Sequence, residues 1–200
     1  MEMSLIQMFQ RSGCLQVAST NKFLYASGLK GPIYCDNRSL LGNPILRTET
    51  LNQLISLLRK SEIEFESIMA MATGAIAMGS LLADKFELPL GYVRAQSKGH
   101  GKQSLIEGDV DKNTKVLIFE DLINQGSSIK KGIDALNSAG YEIVGVLSIV
   151  NYEFDVVKNY FSQEGIPLYS LIKFSEIVSL FESSPETKDA LLRWHAQLNT

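Results

Sequence analysis

Between residues 68 and 150, short apolar runs alternate with stretches of helical periodicity, and this leaves few architectures open. Ile68 to Ala72 reads as a short buried strand, and Ala75 to Phe86 as a helix rich in small residues. Leu90 to Val93 is a second strand, followed over residues 95 to 108 by a polar loop with three glycines. Val116 to Phe119 is a third strand, Ser128 to Ala139 a helix closed by Gly140, and Tyr141 to Val150 a fourth strand. Leu168 to Leu171 reads as one more short strand, and residues 173 to 181 and 186 to 198 as helices. Strands separated by helices pair side by side in one direction, so the class is α/β, with a parallel sheet covered on both faces. In such sheets, ligands gather at the carboxyl ends of the strands.

The N-terminal third is different. Residues 2 to about 12 read as a short amphipathic helix ended by Gly13. From 15 to 46, Gly28, Gly31, Pro32, Gly42 and Pro44 break the apolar pieces into hairpins and turns, as in a small lobe. Thr48 then starts a helix carrying Leu54, Ile55, Leu57 and Leu58. A chain of 200 residues, 45% of them hydrophobic, suffices for one α/β domain with such a lobe. A net charge of −3 without long runs of one sign gives little support to a role on nucleic acid or at a membrane surface. Cys14 and Cys35 cannot make a zinc site alone and read as reduced cytosolic thiols. The segment MEMSLIQMFQRSG carries polar residues through its apolar stretch and does not read as a signal peptide. No apolar run reaches membrane-spanning length, so the expected location is the cytoplasm.

The most informative stretch is VLIFEDLINQGSS, residues 116 to 128. Four apolar residues meet Glu120 and Asp121, then Leu122 and Ile123, then a small polar loop around Gly126. Taken alone, the two acids fit a solvated strand end that caps the next helix. The loop shifts that balance. Asn124, Gln125, Gly126, Ser127 and Ser128 lead directly into a helix whose apolar stripe is Ile129, Ile133 and Leu136. A helix N-terminus behind such a loop offers free N–H groups to an anion, which points to a phosphate. Carboxylates repel phosphate but suit ribose hydroxyls, or a magnesium ion on a second phosphate group. A phosphorylated sugar satisfies both. The chain has neither a G-x-x-x-x-G-K-[ST] loop nor a G-x-G-x-x-G after its first core strand, so two familiar nucleotide motifs are excluded.

This arrangement resembles the phosphoribosyl-pyrophosphate (PRPP) motif of type I phosphoribosyltransferases. A second stretch, Tyr92-Val-Arg-Ala-Gln-Ser-Lys-Gly-His-Gly-Lys running on to Ile106-Glu107-Gly108, resembles the catalytic loop of the orotate phosphoribosyltransferase family. A third, Ser27-Gly-Leu-Lys-Gly-Pro-Ile-Tyr-Cys-Asp-Asn-Arg38, is similar to that family's N-terminal hood. The three occur in the family's order, and with the C-terminal helix carrying Trp194 the resemblance covers nearly the whole chain.

The resemblance implies the type I phosphoribosyltransferase fold, a mostly parallel twisted sheet flanked by helices. It also implies a single domain over 1–200 with a hood formed mainly by 15–46. The activity it implies is transfer of the 5-phosphoribosyl group from PRPP to orotate, giving orotidine 5′-monophosphate and pyrophosphate in pyrimidine synthesis. The stretch from Glu120 through Leu122 and Ile123 to Ser128 would bind PRPP, with Glu120 and Asp121 on the ribose hydroxyls and Asn124, Gln125, Gly126, Ser127 and Ser128 on the 5′-phosphate. Arg94, Lys98 and His100 would serve the pyrophosphate, with Lys98, His100 and Asp121 catalytic. Asn124, Tyr34 and Arg38 would face orotate, whereas Asp36 and the set Met69, Met71 and Met78 read as structural. Magnesium would be held mainly through PRPP, and the family implies a homodimer with shared active sites. Two features depart from the family: Asn124-Gln125 replaces Thr or Ser, and Ala70 and Ala75 replace glycines at the pyrophosphate turn. Those departures keep open a non-catalytic PRPP- or nucleotide-binding regulator of the same fold, or a transferase for another base.

Overall fold

The computed structural model describes residues 3–25, 28, 30–95 and 105–199. The chain opens with α1 (Leu5–Ser12), which starts later than expected because Ser4 caps it: Gln7 N donates to Ser4 Oγ at 3.3 Å and Ser4 N to Gln7 Oε1 at 3.0 Å. Four short strands follow: β1 (Leu15–Val17), β2 (Phe23–Leu24), β3 (Lys30–Gly31) and β4 (Ile33–Cys35). They form two antiparallel pairs, β1 with β4 and β2 with β3. A 3-10 helix over Asn37–Gly42 leads into α2 (Pro44–Ser61). This helix begins four residues before the expected Thr48. Asn43 accepts from Leu46 N at 3.1 Å and Pro44 occupies the first turn, a stronger start than the Thr48 pattern.

The core sheet comprises β5 (Ser67–Met71), β6 (Leu90–Val93), β7 (Ile106–Glu107), β8 (Lys115–Ile123), β9 (Glu142–Asn151) and β10 (Leu168–Lys173). Its spatial order is β10-β9-β8-β5-β6-β7, parallel throughout except for β7, which returns antiparallel along β6. The connecting helices are α3 (Ile76–Phe86), α4 (Ser127–Ser138) and α5 (Asp155–Glu164), and α6 (Phe174–Leu180) and α7 (Pro185–Leu198) close the chain. The central strands are mostly buried, β5 at every position, as expected when both faces of a parallel sheet are covered, while the outer strands β7 and β10 are largely half-buried.

Two expectations are corrected here. The strand expected to end at Phe119 runs through Glu120 and Asp121 to Ile123, because β9 continues beside it as far as Asn151. Helix α5 was not anticipated: the helical spacing buries only Val157 and Phe161, and Phe154 offers no side-chain cap.

The chain's two ends meet at α7. Trp194, only 3% exposed, lies 6.2 Å from the Tyr25 ring, and a side chain at Gly31 would collide with its indole nitrogen, 2.7 Å from a Cβ. His195 is stacked between Phe154 and Phe174, 4.7 and 4.2 Å away. The small N-terminal sheets are thereby held against the main body. Among the described residues, no helix is long and apolar enough to cross a membrane.

Candidate active site

The sheet order reverses between β5 and β8: the chain leaves β5 for β6 on one side, then returns to place β8 on the other. Ligands of open α/β sheets bind in the crevice at such a point. The β5 ladder ends with Ala70 opposite Phe119, so Glu120 to Ile123 extend β8 beyond it and line that crevice.

Glu120 is 5% exposed and accepts from Asp121 N at 3.0 Å. Burial first, then the hydrogen bond and charge of Asp121, push its carboxyl well above the ordinary carboxylate range. Asp121 is half-buried, and its carbonyl accepts from Asn37 Nδ2 at 2.7 Å. The turn after β5, with a cis Ala72–Thr73 peptide, brings Gly74 directly against the Asp121 carboxylate.

Past Ile123, Gly126 adopts φ 78° and starts α4; among the described residues no side chain caps that end. Its N–H groups therefore remain available to an anion. A cavity of about 90 Å³ lies in this bend, lined by Glu120, Leu122 and the run from Ile123 to Ile129. The Asn124 carbonyl Oδ1 is buried there without a hydrogen-bond partner. Ser127 and Ser128 also border a wider cleft of about 680 Å³ that reaches Arg94, Ala95 and Leu105. One ligand could therefore place one end in the bend and extend toward Arg94.

Arg94 pairs with Glu107 at 3.3 Å, on the strand that returns along β6. Lys98 and His100 lie outside the described residues. In the hood, Tyr34 stacks on Phe23 at 5.7 Å, while Arg38 forks onto Asp36 with bonds of 2.6 and 2.8 Å and is 67% exposed. The same fork holds Asp36 below its ordinary range. So Glu120, Asp121 and the 124–128 loop are brought together, Arg94 lies across the adjoining cleft, and the Arg38 guanidinium is engaged by its own neighbour. Met69, Met71 and Met78 are core, as expected. Sequence reasoning passed over Asn37, which touches β8 at Asp121 from 84 positions away; only its place inside the hood motif offered a signal.

The donor set fits a hard cation shared with a ligand. Glu120 and Asp121 offer oxygen only, and among the described residues no three His, Cys, Asp or Glu side chains form a metal cage of their own.

The model of the phosphoribosyl transferase domain matches residues 47–160. This chain belongs to the phosphoribosyltransferase family. Within that family the chain is similar to orotate phosphoribosyltransferases. That of Staphylococcus aureus strain MSSA476 is 38% identical over 180 residues, spanning 88% of this chain and 89% of the relative. That of Cytophaga hutchinsonii is 40% identical over 156 residues, 78% of this chain and 75% of the relative. The crystal structure of orotate phosphoribosyltransferase from Aeropyrum pernix is similar with a TM-score of 0.77 at 28% identity, covering 88% of this chain and 97% of that one.

Proposed function

We propose that this chain transfers the 5-phosphoribosyl group of PRPP to orotate, forming orotidine 5′-monophosphate and releasing pyrophosphate in de novo pyrimidine synthesis. The observation that carries the reading is the acidic pair Glu120–Asp121 at the sheet's reversal point, directly before an anion-ready helix start with its small cavity. The identity to orotate phosphoribosyltransferases over most of the chain supports the choice of base.

In this reading the 5′-phosphate occupies the bend at 124–128, receiving N–H groups from the start of α4. Asp121 accepts from a ribose hydroxyl and Glu120 supports it from below. The ring nitrogen of orotate forms a bond to the anomeric carbon, its N–H proton passing to the departing pyrophosphate, while that carbon's bond to the pyrophosphate oxygen breaks. The electron pair leaves with pyrophosphate. Positive charge builds on the ribose ring, so the nearby Asp121 carboxylate stabilises the transition state more than the ground state. Arg94, Lys98 and His100 meet the negative charge on the leaving group. Water competes with orotate for the same carbon, so the reaction benefits from a site that excludes water. Magnesium would be held mainly through PRPP with Glu120 and Asp121 nearby, and would supply positive charge to offset that of pyrophosphate. Tyr34 and Asn124 border the base, and Arg38 reaches it only by leaving Asp36.

The chain works as a single domain over 1–200, its hood formed mainly by 15–46, as a homodimer in the cytoplasm. Pyrophosphate release from PRPP and magnesium, measured with and without orotate, tests the proposal. Release that requires orotate supports it. Release driven by another base, or none with a folded chain, overturns it.

A further inference from the structure

Two cysteines and one amide form a node between the hood and the catalytic strand. Asn37, only 3% exposed, opens the 3-10 helix after β4. Its Nδ2 donates to the Asp121 carbonyl at 2.7 Å. Its Oδ1 faces two thiols, Cys35 Sγ at 3.4 Å and Cys14 Sγ at 3.8 Å. Cys14 is nearer to Asp36 O, at 3.2 Å, so Cys35 is the principal donor to the amide. Both thiols are buried.

We propose that Asn37 is a positioning residue for Asp121, and that the Cys35 thiol, backed by Cys14, fixes its amide in the orientation that does this.

An amide has two ends of opposite hydrogen-bonding sense. Turned over, Asn37 would set its oxygen against the Asp121 carbonyl, two acceptors with no proton between them inside a buried site, where an unpaired polar group is costly. The Asp121 carbonyl therefore selects the orientation, and the thiols, donating to Oδ1, hold the amide in it. Contact with Cys14 and burial push the Cys35 thiol upward, so its S–H persists at neutral pH. The latch matters because β8 has run past the end of β5 when it reaches Asp121. Asn37 supplies a donor to a carbonyl where the β5 ladder no longer reaches. Across the crevice, Gly74 closes on the carboxylate of the same residue. Asp121 is thus held by its backbone from the hood and confined at its carboxylate by the β5 turn.

The inference rests on Asp121 binding PRPP. The test is calorimetric PRPP binding with magnesium, together with KM for PRPP and kcat, for the unaltered chain, Asn37→Leu, Cys35→Ala and Cys35→Ser. Asn37→Leu should weaken PRPP binding about tenfold, the loss of one buried hydrogen bond, and raise KM more than it lowers kcat. Cys35→Ala should weaken it about threefold, as a weak S–H contact implies, and Cys35→Ser, which keeps a donor, should restore it. A purely structural role would lower the urea midpoint while leaving PRPP affinity of the folded chain unchanged, and it would not separate the serine from the alanine variant. If Asn37→Leu does not fold, the Cys35 pair decides. Equal PRPP affinity in all folded variants overturns the inference alone. Failure of the unaltered chain to bind PRPP overturns the reading beneath it, and the inference with it.

Discussion

Gly74 abuts Asp121 across the crevice so closely that a Cβ at Gly74 would lie 2.6 Å from the aspartate Cγ. The contact is with a side chain, so an alanine can be accommodated only by swinging the carboxylate away from its place. Gly74→Ala should therefore leave the urea midpoint nearly unchanged and weaken PRPP binding. Losing the geometry of one charge-assisted hydrogen bond corresponds to about 1.5–3 kcal/mol, roughly 10- to 150-fold. Titration of PRPP into the variant checks this, and unchanged affinity would place the ribose elsewhere.

The second prediction concerns Glu120 and pH. Its folded pKa is raised above the ordinary 4.5, chiefly by burial and then by Asp121. Its contribution to stability is therefore fully present below 4.5 and is lost as pH rises through the raised folded value. Glu120→Gln removes this titration. The ligand-free variant should gain stability relative to the unaltered chain at pH 8, and the gain should shrink toward pH 4.5. Urea unfolding at several pH values reads the difference. A gap that does not vary with pH would show that Glu120 is not the titrating group.

Asn124 offers a third. Its buried Oδ1 lacks a partner, and phosphate oxygens have no proton to give it. Asn124→Thr replaces that acceptor with a hydroxyl able to donate. PRPP should bind more tightly by part of the roughly 1.5–3 kcal/mol of one charged hydrogen bond. Weaker binding in the variant would mean that the amide oxygen receives a donor from the ribose or the base.

The shared-site dimer gives the fourth. If each site combines Asp121 of one subunit with Lys98 of the other, Lys98→Ala and Asp121→Asn chains are each inactive alone. In a mixed dimer, one site then carries both lesions and the other neither. Equal mixing makes half the dimers mixed, so about a quarter of sites regain full activity. Chains that demonstrably exchange without regaining activity would show that each loop serves its own subunit.

The parallel sheet was legible because its strands are continuous apolar runs, such as Ile68 to Met71 and Val116 to Phe119, separated by helical periods. The extent of β8 was not. Two acids end an apolar run, and only β9, pairing Leu122 with Val150, reveals that the strand goes on. The bend at 124–128 could be read because small residues and a glycine at a helix start have few other purposes. The role of Gly74 beside Asp121 and that of Asn37 behind it could not, since both depend on contacts between segments far apart in the chain.

Arg94 N donates to Leu105 O at 2.7 Å, and β6 and β7 pair directly beyond that bond. Positions 94 and 105 are therefore joined at a neck rather than standing as distant anchors. The length of chain that connects them is nearly free to change, since doubling a loop costs only about 0.6 kcal/mol of closure entropy. A connection of different length or chemistry, grafted at the same neck, should leave the sheet's stability almost as it was, so this part of the chain can diverge while the strands beneath it stay fixed.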